Sequence, residues 1–167
     1  MTAAERFGVP YALRSLRWFK AGKLPSYEGM QAVEQALMDW FWSRHVSEYL
    51  AAAYNVRVGR GRPAPEWADE ALQRDWQMST QLRIDALLWD GNTLTVAEVK
   101  PVAGMEALGQ AYFYPALLSR TYYIATPVRS IVICDDVHPD LVRLFVDAGI
   151  GIFVRQPLTA AALYAAS

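Results

Sequence analysis

Between Arg83 and Lys100, two runs rich in Leu, Ile, Val, Thr and Trp flank the break Asp90-Gly91-Asn92. Short Gly/Asn/Asp breaks of this kind join antiparallel strands, so the pattern predicts a β-hairpin. With Gly91 at the first central position of a type II′ turn, Trp89 faces Leu94, Leu87 faces Val96 and Asp85 faces Glu98. A turn on Asp90-Gly91 would slip the register by two residues and leave Asp85 diagonal to Glu98, still on one face. Lys100 lies two residues beyond Glu98 and shares that face.

The other elements follow from the same reading. Residues 26–50 hold strong helix formers behind Ser26, an N-cap candidate, with Ala32, Leu37, Trp40 and Phe41 as the apolar stripe and His45 on the surface. Tyr54 to Val58 alternates as a strand does, and residues 64–78 form an acidic insert, helical or irregular. Pro101 should end the second hairpin strand. Residues 103–120 read as a helix that Pro115 kinks or interrupts near Tyr114. The apolar run from Ser130 to Cys134 predicts a central strand covered on both faces. Asp135, Asp136 and His138 then occupy a turn and helix cap rather than a second metal cluster. A helix from Pro139 to Ala148 and a strand from Ile150 to Val154 complete a parallel pair with a right-handed crossover. Residues 158–166, rich in alanine, predict a terminal helix. The architecture expected is α/β: a mixed central sheet with an antiparallel hairpin and a parallel strand pair, helices on both faces.

Composition narrows the setting. A chain of 167 residues suits one domain with a sizeable core, and six Trp with nine Tyr fit a folded protein whose aromatics either form an apolar surface for a partner or fill the core with a few scattered outside. A formal net charge of −1 excludes nucleic-acid binding by bulk electrostatics, so DNA contacts must be local. The lone Cys134 excludes a disulfide framework and reads as an inert strand residue. No signal peptide or membrane-length apolar run is present, so a soluble, reducing compartment, the cytoplasm, is the expectation. Residues 1–25 set Arg6, Arg14, Arg17, Lys20 and Lys23 against a single acid, Glu5, among Phe7, Tyr11, Trp18 and Phe19. They read as a basic N-terminal arm ahead of a single domain over residues 26–167, one that either tracks a phosphate backbone or packs its aromatics on that domain. Gly59-Arg60-Gly61-Arg62-Pro63 either brings Arg60 and Arg62 close to phosphates, since glycine carries no Cβ, or is a flexible turn with incidental charge.

Two carboxylates opposed across a hairpin repel each other at about 4.5–5.5 Å between Cβ atoms. A divalent cation reverses that repulsion, since hard cations such as Mg²⁺ take carboxylate oxygens. Asp85, then the triplet Glu98-Val99-Lys100, then Gln110-Ala-Tyr-Phe-Tyr114 in a following helix, resemble the PD-(D/E)XK nuclease superfamily, including RecB-type and Holliday junction resolvase-like members. Ile84-Asp85 stands where the family has Pro-Asp.

The resemblance covers roughly residues 26–154 and implies a restriction-endonuclease-like fold and Mg²⁺- or Mn²⁺-dependent hydrolysis of DNA. By that likeness Asp85, Glu98 and the Val99 carbonyl hold metal, with a helix glutamate, Glu34 or else Glu28, completing the shell. Lys100 helps position the attacking water and favours its deprotonated form, and Gln110 orients it. Arg57, Arg60, Arg62, Lys20, Lys23 and Tyr114 form the DNA-contact set, and a homodimer is an implied state. The alternative is a non-catalytic DNA-binding or structural assembly domain on the same fold.

Overall fold

The computed structural model describes residues 1–156; the terminal helix expected over residues 158–166 lies outside them. Six strands form one sheet in chain order: β1 (Trp18–Lys20), β2 (Ala51–Val58), β3 (Leu82–Trp89), β4 (Leu94–Ala103), β5 (Val128–Val137) and β6 (Gly151–Val154). The first four run antiparallel to their neighbours, and β4, β5 and β6 run parallel. The fold is α/β with a mixed sheet, as expected.

The helices are α1 (Ala3–Arg6), α2 (Ala32–His45), α3 (Glu70–Thr80), α4 (Met105–Tyr122) and α5 (Pro139–Asp147). One sheet face carries Ala86, Leu88, Ala97, Val99, Ile131 and Ile133 and packs on Leu37, Met38, Phe41 and Trp42 of α2. The other carries Leu87, Trp89, Leu94 and Val96 under Tyr114 and Leu118 of α4, with Ala4, Val9, Leu13 and Trp18 of the N-terminal segment sealing one end. Phe145 and Leu141 of α5 cover Val132 and Cys134 on that same side. Burial pushes the Cys134 thiol up to about 12, which keeps it protonated and unreactive.

The hairpin register is the one the turn chemistry predicts: Trp89 pairs with Leu94 and Leu87 with Val96. Gly91 takes a φ of +103°, which the first central position of a type II′ turn demands. Asp90 Oδ1 accepts from the backbone N–H groups of Asn92 at 2.8 Å and Thr93 at 2.7 Å.

Several expectations need correction. Helix α2 begins at Ala32 behind Gln31, not at Ser26; Ala32 is exposed, and Met38 and Trp42 join Leu37 and Phe41 inside. Of the two readings of the first 25 residues, the segment packs on the domain: Leu13 and Trp18 are core residues and the Trp89 indole donates to the Phe7 carbonyl at 2.9 Å.

Pro115 does not break α4. It cannot donate to the Ala111 carbonyl four residues back, and the buried Ser130 hydroxyl donates there instead at 2.6 Å. Pro101 does not end β4 either. Val99 donates toward the β3 side, so by alternation Pro101 presents its missing N–H to the same side, where β3 has already left the ladder. Asp135 and Asp136 belong to β5 rather than to a turn. Asp135 holds Arg155 through two contacts of 2.7 and 2.9 Å.

Candidate functional site

The site forms where β3 and β4 part. Their backbone ladder stops at Ala86 opposite Ala97, and the Asp85 carboxylate fills the gap by accepting from the Val99 N–H at 2.8 Å. A matched irregularity on β2 accompanies this. Tyr54 pairs with Ala86 and Val56 with Ile84, which sets Asn55 across from Asp85. Asn55 adopts φ +54°, a left-handed conformation that asparagine tolerates better than most residues.

Strict alternation would leave Val56 and Ile84 on the α2 side with Tyr54 and Ala86. Both instead join the opposite core layer. The two strands change phase together at Asn55 and Asp85, and Asp85 turns toward β4. The Asn55 amide is fixed in place, donating to Glu28 at 3.0 Å and accepting from Arg83 at 3.2 Å.

Glu98 points from β4 under α4, on the face of Val96, and is fully buried. Neither of its oxygens meets a donor in good geometry. A buried carboxylate without donors is costly, several kcal/mol or more if ionised. Burial first, and then the neighbouring Asp85 charge, push its carboxyl up to about 9, with Lys100 opposing. Burial likewise raises Asp85, against the Val99 N–H and Lys100, while Glu34 adds to the rise. The pair can share a proton, and contact between them is one that a protonated Glu98 would make.

The Lys100 ammonium stands 3.8 Å from Asp85 Oδ2, and both side chains are about a fifth exposed, at 23% and 20%. The site thus opens to solvent through Asp85 and Lys100 and closes behind Glu98. From α4, Gln110 donates to Glu106 at 3.3 Å and leaves its buried carbonyl oxygen without a partner. One turn on, the Tyr114 phenol is pushed up to about 12, by burial and then by the Glu98 and Asp85 charges.

The structure therefore brings together Asp85, Glu98, Val99, Lys100, Gln110 and Tyr114. Tyr114 is buried against the carboxylates and offers no surface on which a base could stack. Glu34 closes a capping box at the start of α2, accepting from the Gln31 N–H at 2.7 Å, while its charge still reaches Asp85. Glu28 holds Asn55 instead of reaching the pair. Among the described residues, no three His, Cys, Asp or Glu side chains form a ready-made metal cluster.

Arg57, opposite Arg83, and the loop carrying Arg60 and Arg62 lie at the Asp85 end of the sheet. Lys20 pairs with Ala51, which pairs with Trp89, so Lys20 and the nearby Lys23 sit at the turn end, away from the carboxylates. Sequence reading missed Asn55, whose signal was a turn-forming residue in the middle of a strand. It also missed Arg120 and Tyr123, which the fold sets beside Arg60.

Comparison of the chain with known protein families, with curated proteins and with solved structures finds no match.

Proposed function

We propose that this chain is a metal-dependent deoxyribonuclease on a PD-(D/E)XK, restriction-endonuclease-like framework, hydrolysing phosphodiester bonds at Asp85, Glu98 and Lys100. The observation that carries this reading is Glu98: a fully buried carboxyl whose oxygens no donor meets in good hydrogen-bond geometry, beside a second carboxyl and a partly open lysine. Two such acids suit a hard divalent cation, which supplies the missing positive partner. A third oxygen is at hand. In an extended strand a residue's N–H and C=O point to one side, so the Val99 carbonyl faces the same gap as the N–H that Asp85 accepts.

Mg²⁺ or Mn²⁺ held by Asp85, Glu98 and the Val99 carbonyl, with Glu34 through its charge, would lower the pKa of water and offset charge on the phosphate. The chain's own groups do the rest. Lys100, reachable from solvent and pinned by Asp85, positions the attacking water and favours its deprotonated form. The free Gln110 carbonyl oxygen accepts from that water and aims it. Arg57, Arg60 and Arg62 supply phosphate contacts at the same end of the sheet.

Calorimetry with Mg²⁺ or Mn²⁺, paired with cleavage assays on linear, single-stranded and four-way-junction DNA, tests the proposal. Asp85→Ala should abolish both metal binding and cleavage, while Lys100→Ala should keep the metal and lose cleavage. The preferred DNA then says whether the enzyme is a junction resolvase, for which light scattering should show a homodimer, or a simpler nuclease. A folded parent chain that neither binds metal nor cleaves would transfer the fold to the non-catalytic DNA-binding or assembly reading.

A further inference from the structure

A cleft of about 630 Å³ lies between the loop after β2, the end of α3 and the end of α4, lined by Gly59, Arg60, Gln77, Gln81, Arg120 and Tyr123. Its walls are tied to one another. Gly59 donates to the Thr121 hydroxyl at 2.8 Å, Gln81 donates to the Gly59 carbonyl at 2.7 Å, and the Arg62 N–H donates to the Thr80 hydroxyl at 2.7 Å. Gly61, at φ +72°, seats the loop so closely on α3 that a Cβ there would run into the Gln77 carbonyl. A cleft held this way is preformed, so a ligand need not order it.

The groups it presents are chemically specific. Arg60 and Arg120 are exposed, no acid lines the cleft, and among the described residues neither guanidinium makes an ion pair. Tyr123 caps α4 in a left-handed conformation, φ +53°, and the residue is 90% exposed. An aromatic ring displayed in water contributes little to folding. Two unpaired guanidiniums, two amides and an open aromatic face are the set that binds phosphates and stacks on a base.

The cleft also lies within a short reach of the carboxylates along β3 and α4. Gln81 precedes Asp85 by four strand residues, roughly 13 Å, and Arg120 follows Tyr114 by six helix residues, roughly 9 Å. Phosphates along a stacked strand advance about 3.4 Å each. We propose that this cleft binds a single nucleic-acid strand about three or four nucleotides from the bond at Asp85 and Glu98, with Arg60 and Arg120 on its phosphates and Tyr123 stacked on an unpaired base. The distance to a scissile bond rests on the nuclease reading; the strand-binding cleft does not.

The test is fluorescence anisotropy of the full chain in EDTA, so that cleavage plays no part, with a labelled single-stranded 12-mer and its duplex (about one helical turn) over a range of salt. The single strand should bind more tightly than the duplex. Arg60→Ala with Arg120→Ala should weaken it about tenfold and flatten the log K against log salt slope by about 1.4, roughly 0.7 for each phosphate lost. Tyr123→Ala should weaken it about fivefold or more with the slope unchanged. All three side chains are exposed, so the variants should fold, and circular dichroism checks that they do.

Parent-like binding by these variants overturns the proposal. So does an equal loss in Lys23→Ala at the far end of the sheet, which would mean bulk charge, and so does full displacement by a deoxynucleoside monophosphate, which would mean a mononucleotide pocket. Loss of strand binding in the cleft variants from a chain that never cleaves DNA would leave the cleft standing and remove the nuclease reading. Intact binding by those variants with Asp85-dependent cleavage would do the reverse.

Discussion

The β3–β4 hairpin has an aspartate near each end, and the two are treated oppositely. At the turn, Asp90 accepts two backbone N–H groups and has the Arg129 guanidinium 3.5 Å away. Arg129 in turn donates to the fully buried Thr95 hydroxyl at 2.8 Å, so no polar atom there is left over. Asp135 is equally well served by Arg155. At the open end, Asp85 receives one backbone N–H and a lysine at 3.8 Å, and Glu98 beside it meets no donor in good hydrogen-bond geometry. Where this fold uses a carboxylate for architecture, it surrounds it with donors. The shortage at Asp85 and Glu98 is local, and it coincides with a phase change in two strands, so it reads as a place kept for a cation and a substrate.

The largest effect should come from Glu98→Gln, which keeps the shape and removes the charge. On the nuclease reading, cleavage should fall about a thousandfold, the rate equivalent of losing several kcal/mol of charge stabilisation at the phosphate. The companion Asp90→Asn should cleave at close to the parent rate. Single-turnover rates on one DNA substrate decide between the two ends. Equal losses would end the distinction.

Next in size is the pH dependence of folding without metal. Glu98 stays protonated in the folded chain up to about pH 9, whereas the unfolded chain releases that proton near the ordinary 4.5. The folded state therefore holds the extra proton between those values. This contribution is complete below about pH 4.5 and is lost as pH rises toward 9, at no more than about 1.4 kcal/mol per pH unit. Asp85, also raised, adds in the same direction. Urea unfolding in EDTA at intervals from pH 5 to 9 should show falling stability, and Glu98→Gln should flatten the fall. Mg²⁺ should restore stability at the upper end, because it displaces the proton and binds the folded chain. Stability that rises across this window would show Glu98 to be a satisfied, ionised acid.

How much of this was legible in the sequence depended on whether local chemistry decided the outcome. Asp90-Gly91-Asn92 sets its own turn geometry, so the register from Trp89 and Leu94 to Ala86 and Ala97 followed directly; the facing of Asp85 and Glu98 did not, because the ladder stops one pair short and Asp85 turns to the Val99 N–H. The start of α2 did not, because Gln31 and Glu34 close a capping box there, and Ser26 drew the N-cap reading five residues too early. Ala51, Ala52 and Ala53 are weak strand formers placed in β2 by burial between β1 and β3. Pro115 looked like a helix breaker because its rescue comes from Ser130, fifteen residues away. The absence of donors around Glu98 and the meeting of Arg60 with Arg120 are facts of assembly, and no window of sequence contains them.

The smallest effect belongs to the turn end, and its size can be argued group by group. Asp90→Ala removes the acceptor for the Asn92 and Thr93 N–H groups, a loss comparable to that of a helix N-cap, about 1–2 kcal/mol. The Arg129 contact adds little, because that side chain is half exposed and the separation is 3.5 Å. Asp90→Asn retains the Oδ1 acceptor and gives up only the charge, so it should cost about a third as much or less. Urea midpoints for the two variants should therefore separate, with Asn near the parent and Ala clearly below it, while metal affinity at the other end of the hairpin stays the same. Equal destabilisation by both would mean that the ion pair, and not the turn, is what Asp90 supplies. A change in metal affinity would mean that the two ends are mechanically joined through β3 and β4, and the shortage of donors at Glu98 would then be a property of the whole hairpin rather than of one end.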